Sequence, residues 1–245
     1  MLTQRSNSEI TIFLDPQRAL DNHSKVFETP KGLSPIRDHD HAIHLILGSV
    51  LPNIRPYIYP YSHKSEIEHM VAEMLEVGII QPSQSYFSSL VVFVHKKDGS
   101  WCMCPYYKDI NKLTIKDNFP IPVIDEFLDE LHGAIYFTKL DLHPRYHQIR
   151  MKIEVRTHEG HYESLIMPFF LSNSPSTFQG FMNSIFKSFL RKIVLVFFDD
   201  VLIYNKPCKD HVQHVDKVLK ILEKKQLYYL QKSRKNGSQR CCVMN

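Results

Sequence analysis

The stretch Ile193-Val194-Leu195-Val196-Phe197-Phe198-Asp199-Asp200-Val201-Leu202-Ile203-Tyr204 decides the architecture. Two runs of β-branched and aromatic residues flank two aspartates. This is the pattern of a hairpin whose two-residue loop is Asp199-Asp200, because Asp tolerates turn geometry. Carboxylates set in an apolar hairpin are costly unless paired or metal-bound. Solvated turn aspartates are the alternative.

A partner lies upstream. Ile135 to Asp141 reads as a strand that ends in a further carboxylate. If Asp141, Asp199 and Asp200 converge, they supply what a pair of Mg²⁺ ions requires, a few carboxylates completed by substrate phosphates. Such a pair serves an in-line phosphoryl displacement.

Outward from this centre, strands and helices alternate without βαβ spacing, which makes the fold class α+β. Ser65 and Glu68 have capping-box spacing before Ile67, Met70, Val71, Met74 and Leu75, and Gly78 stands at a helix end. Leu90 to Val94 and the run from Trp101 read as a hairpin turning at Asp98-Gly99, with Lys96 and Lys97 near its tip. Val123 to Leu131 predicts a short helix before Gly133. Pro175 opens a helix with Phe178, Phe181, Met182, Ile185, Phe186 and Phe189 on one core-facing stripe. Val212, Val215, Val218, Leu219 and Leu222 predict one more amphipathic helix, after which the pattern dissolves past Leu230.

The chain has 245 residues, of which 43% are hydrophobic and 11% aromatic, enough apolar area to offset ordering entropy. No Gly-rich phosphate cradle occurs, and the longest apolar run, Ile193 to Phe198, is far shorter than the roughly 20 residues of a membrane span. With no signal-peptide pattern, the expectation is an intracellular protein of cytoplasm or nucleus, making no membrane contact. Five cysteines without CxxC spacing read as free thiols. The net charge of +4 is uneven: eight basic residues and one acid fall between Lys217 and Arg240. Asp38-His39-Asp40-His41 is expected to be charged extended chain rather than a metal site, and His211 and His214 to be solvated surface.

From roughly Asp38 to Lys232 the sequence resembles the reverse transcriptase domain of Ty3/Gypsy-type retrotransposon Pol polyproteins. The resemblance rests on Lys64-Ser-Glu-Ile-Glu, Gly78-Ile-Ile-Gln-Pro-Ser, Lys96-Lys-Asp-Gly-Ser-Trp, Phe119-Pro-Ile-Pro-Val-Ile-Asp and Lys139-Leu-Asp-Leu. Tyr146-His-Gln-Ile-Arg-Met-Lys, Ser174-Pro-Ser-Thr-Phe-Gln and Val196-Phe-Phe-Asp-Asp extend it. It implies polymerase fingers and palm, the palm an antiparallel sheet packed with helices and the thumb absent. The expected divisions are an extended lead-in at 1–40, fingers at 41–134, palm at 135–232 and a basic disordered tail at 233–245. By resemblance Asp141, Asp199 and Asp200 are catalytic and hold two Mg²⁺ ions, or Mn²⁺, while Lys96, Lys97, Tyr146 and Gln179 bind the nucleotide. The implied partners are an RNA or DNA template with its primer and deoxynucleoside triphosphates.

Departures from the family pattern point to a truncated, degenerate copy. Cys102 replaces the arginine expected to hold triphosphate, Arg145 stands beside Tyr146, and Phe170 replaces a glycine. Pro105 falls within a predicted strand, and about six family residues are missing between Lys152 and Arg156, which threatens strand register. The implied function is RNA-directed DNA polymerase with weak or no activity. The alternative is an inactive retroelement relic that retains at most nucleic-acid binding.

Overall fold

A computed structural model describes residues 16–28, 32–37, 39–50, 58–84, 89–96, 99, 101–120, 124–142, 148–168, 170–198 and 200–230. Two sheets organise them. The first has five strands in the order β1-β6-β5-β2-β3, formed by β1 (Ile80–Pro82), β2 (Ser89–His95), β3 (Trp101–Tyr106), β5 (Arg150–Arg156) and β6 (His161–Ile166). The second has four strands in the order β7-β8-β4-β9, from β4 (Tyr136–Leu142), β7 (Val194–Phe197), β8 (Asp200–Asn205) and β9 (Tyr229–Leu230). The sheets do not divide the chain at residue 134. β5 and β6 lie within the range expected for palm, yet they pair with β1 and β2.

The first sheet is covered by α2 (Tyr61–Val77), whose Ile67 and Val71 pack with Tyr59, Ile80, Phe93 and Met103. This helix begins four residues before Ser65, after Pro60 in an extended conformation, so Ser65 is interior and caps nothing. Its end is as expected. Gly78 adopts φ 75°, and the amides of Gly78 and Ile79 return to the carbonyls of Leu75 and Met74. The β2–β3 hairpin forms in register from His95↔Trp101 to Leu90↔Tyr106. Pro105 is tolerated because β3 is the edge strand, where a missing amide proton breaks no ladder. The shortened segment likewise keeps its sheet: β5 and β6 pair antiparallel, with one register shift between Arg150 and Ile153.

The second sheet is packed by α5 (Ser174–Phe186) and α6 (Cys208–Lys224). Phe178, Phe181, Met182 and Phe186 of α5 are buried, as the stripe predicts, although the helix ends before Phe189. On α6 the stripe Val212, Val215, Val218, Leu219 and Leu222 is buried, and His211 joins it. Two short helices, α3 (Lys108–Leu113) and α4 (Ile124–Glu130), complete the connections.

Part of the lead-in folds. Within the stretch expected to be an extended lead-in, α1 (Pro16–Asn22) and a 3₁₀ turn at Ser24–Phe27 bring Ala19 and Val26 into the core. The buried His23 lies between two acids of α6, with Nε2 3.0 Å from Asp216 and Nδ1 2.9 Å from Glu223. The apolar patch at Ile10 to Leu14 and the basic tail lie outside the described residues. No helix among the described residues is long and apolar enough to cross a membrane.

Candidate active site

The hairpin at the centre of the sequence forms one step out of the expected register. β7 and β8 pair Phe197 with Asp200, so the connection runs through Phe198 and Asp199. Asp200 is therefore the first residue of β8 rather than a loop residue. Phe198 takes φ 47°, a left-handed conformation that a two-residue hairpin turn demands and a bulky side chain resists. Gln179 of α5 holds it there. The Gln179 Oε1 accepts the Phe198 amide proton at 2.9 Å, and its Nε2 donates to the Val196 carbonyl at 3.0 Å and to Asn183 Oδ1 at 3.0 Å. The Phe197 ring packs edge-on against Phe198 and against Phe127 of α4.

β4 and β8 are antiparallel neighbours, and their register sets Asp141 directly opposite Asp200. Like charges in that relation repel. Lys139, two residues before Asp141 and so on the same strand face, relieves the repulsion. Its Nζ lies 2.8 Å from Asp200 Oδ2 and 3.4 Å from Asp141 Oδ1. The hydrogen bond to Asp200 and the attraction of both carboxylates raise the Lys139 pKa from its ordinary value, against a smaller desolvation effect. The Asp141 side chain is only 17% exposed and Asp200 40%, so the pair sits half-sunk at the sheet surface. A place where two carboxylates converge on one ammonium is a place suited to a cation. Its donor set is all hard oxygen, the chemistry of Mg²⁺ or Mn²⁺ rather than of a soft metal.

Of the other residues singled out by resemblance, Gln179 is fully buried behind the hairpin, with its polar atoms engaged as described. Lys96 is exposed at the end of β2, on the other sheet. Asp199, Lys97, Tyr146 and Arg145 lie outside the described residues. Cys102 occupies β3 half-buried, its sulfur accepting from the Cys104 thiol at 3.4 Å. Phe170 is exposed, and its carbonyl accepts from Asn111 Nδ2 at 2.8 Å, so the large ring is accommodated by pointing outward.

Two polar arrangements escaped sequence reasoning. His211, expected on the surface, is fully buried under β4 and β8. Its Nε2 accepts from Thr138 Oγ1 at 2.8 Å and its Nδ1 donates to Asn205 Oδ1 at 3.1 Å, an arrangement that needs neutral imidazole. Desolvation, with the neighbouring His214, lowers its pKa to about 4. His41 is buried too and hydrogen-bonds Thr177 at 2.7 Å, its pKa lowered to about 4 by desolvation and by His44. Lys139 was missed as well, although its i, i−2 spacing from Asp141 was a usable signal.

A carboxylate-bearing hairpin in an antiparallel sheet backed by two helices, joined to a second sheet carrying a lysine-tipped hairpin, defines the palm-and-fingers class of nucleic-acid polymerases. Within it, a family described as reverse transcriptase (RNA-dependent DNA polymerase) matches residues 94–233. The chain belongs to this family, and to its Ty3/Gypsy-type retrotransposon branch. It is 38% identical over 67% of its length to a retrovirus-related Pol polyprotein from transposon 297 of Drosophila melanogaster. It is 33% identical over 80% of its length to the transposon Tf2-3 polyprotein of Schizosaccharomyces pombe. The chain spans 16% and 15% of these two relatives. In fold it is similar to the foamy virus protease-reverse transcriptase, with a TM-score of 0.73 at 22% identity, covering 88% of this chain and 30% of that one. The same viral protein in complex with an RNA/DNA hybrid matches with a TM-score of 0.73 at 20% identity, covering 88% of this chain and 30% of that one. Members of the family use divalent metal ions.

Proposed function

We propose that this chain binds a primer annealed to an RNA or DNA template and catalyses weak, metal-dependent nucleotidyl transfer at Asp141 and Asp200, with Asp199 as third carboxylate. The observation that carries the proposal is the register of β4 against β8, which sets Asp141 and Asp200 face to face around a cation. Two divalent ions held there would lower the pKa of the primer hydroxyl and stabilise the leaving pyrophosphate. The chain's own residues do the rest. Asp141 and Asp200 would hold the ions from neighbouring strands, Gln179 keeps the hairpin turn closed, and Lys139, which now bridges the two carboxylates, would have to release them for a divalent ion to bind.

A weak rate follows from the fingers. Cys102 offers a thiol where an arginine would grip the triphosphate with two parallel hydrogen bonds, leaving Lys96 and Lys97 as point charges. Primer extension on an RNA template tests the proposal. Low extension that requires Mg²⁺ or Mn²⁺ and disappears in Asp200→Asn is expected. Salt-dependent retention of primer-template with no extension under either metal would favour the binding-only relic.

A further inference from the structure

Cys102 and Cys104 occupy alternate positions of the edge strand β3 and therefore share one face of it. Their register partners are Val94 and Val92, which are 45% and 40% exposed on the open face of the first sheet, although Cys102 also borders a smaller cavity that Val71 and Met74 of α2 line. That face floors a cleft of about 780 Å³, lined by Val92, Val94, Cys104, Tyr106 and Phe170 with Lys108 at its margin. Both cysteines are free and half-buried, and their sulfurs are 3.4 Å apart.

Two outcomes compete for such a pair. A direct disulfide requires sulfurs about 2 Å apart and Cα atoms no more than about 6.8 Å apart. Alternate residues of an extended strand stand roughly 6.6 Å apart at Cα, at the edge of that range, so closing the bond strains the strand. A single soft atom inserted between the sulfurs needs no such closure. Zinc is a poor occupant, because it takes four ligands and no group of three or more His, Cys, Asp or Glu side chains that could hold a metal occurs among the described residues.

We propose that Cys102 and Cys104 form a dithiol site for soft thiophilic electrophiles that accept two sulfur ligands, of which trivalent organoarsenicals are the type. In the reaction with phenylarsine oxide, two S–As bonds form, the As=O bond breaks, and the oxygen leaves as water with the two thiol protons. Arsenic stays trivalent, and no oxidant or reductant is consumed. Burial and the contact with Cys102 push the Cys104 pKa up to about 11. Cys104 thus keeps its proton at neutral pH until a sulfur–arsenic bond displaces it. The open cleft gives the ligand's organic group apolar wall to rest on. The site is independent of Asp141 and Asp200, which lie on the other sheet.

The test uses the full chain with Cys208, Cys241 and Cys242 changed to Ser, so that only the strand pair remains. Phenylarsine oxide is added to the folded protein, and intact mass and free thiols are recorded. One adduct is expected, with loss of both thiols, resistant to excess monothiol and released by a small dithiol. Adding Cys102→Ser or Cys104→Ser to that background should lower retention under monothiol at least 100-fold while circular dichroism is unchanged. Equal retention by the single-cysteine proteins would overturn the proposal. So would an adduct only on urea-unfolded protein, or ready loss of two hydrogens to a disulfide under dilute peroxide without arsenical binding.

Discussion

The two sheets bury their residues to different degrees. In the four-stranded sheet, Val194, Val196, Val201 and Ile203 are all buried beneath α5 and α6, and the strand that carries Asp141 is flanked by β8 on one side and β9 on the other. In the five-stranded sheet the β2–β3 hairpin is covered on one face only, with Val92, Val94 and Tyr106 exposed on the other. The departures expected from the family pattern at Cys102, Pro105 and Phe170 fall on this five-stranded sheet and its surroundings, whereas the carboxylates Asp141 and Asp200 sit on the four-stranded one. A buried sheet fixes the position of its side chains through packing that tolerates little change, whereas an open, edge-terminated hairpin accepts substitution at small cost in stability.

The largest effect should come from testing that difference directly. Ile203→Ala, fully buried between β4 and β7, is expected to lower unfolding free energy in urea by about 2–5 kcal/mol. Val92→Ala on the open face should stay within about 0.5 kcal/mol. Equal losses would break the contrast.

Gln179→Leu comes next. It keeps most of the volume but strands the Phe198 amide and the Val196 carbonyl, for a cost of about 1–3 kcal/mol.

Acid should act through the two buried imidazoles. Both are neutral in the folded protein, with pKa values lowered from 6.5 to about 4 by burial, while the unfolded chain protonates near 6.5. The unfolded state therefore binds more protons between these limits, so stability is full above about pH 6.5 and falls as pH drops toward 4. Denaturant midpoints measured across that window should show a shallower slope for His211→Gln than for the parent chain.

The smallest effect is expected at Lys139→Ala. An ammonium 53% exposed contributes under about 1 kcal/mol, so thermal stability without metal should fall by only a few degrees at low salt. Added Mn²⁺ should raise the variant's melting temperature more than the parent's, because no tethered cation has to leave.

Much of the palm was legible in the sequence because hydrophobic periodicity and register are local. The runs on either side of Phe198 and Asp199, the α5 stripe and the Gly78 helix end all formed. The hairpin loop was misplaced by one residue because Asp is a better turn former than Phe, and that propensity was overridden by Gln179, 19 residues away in sequence. His211 looked like surface because nothing in its own helix shows that Thr138 and Asn205 wait beneath it. The make-up of the five-stranded sheet was hidden for the same kind of reason: the parallel pairing of β2 with β5 joins segments some 65 residues apart, and no short-range pattern encodes it. At the candidate site, the Asp141 and Asp200 pairing followed from motif matching, whereas Lys139 and the buried place of Gln179 required three-dimensional packing.

The most direct test is a Mn²⁺ titration of the folded chain followed by electron paramagnetic resonance. If Asp141 and Asp200 share a cation across the β4–β8 register, the parent protein binds Mn²⁺ saturably. Asp141→Asn and Asp200→Asn should each weaken that binding at least tenfold with circular dichroism unchanged. Undiminished Mn²⁺ binding in both variants would contradict the assignment.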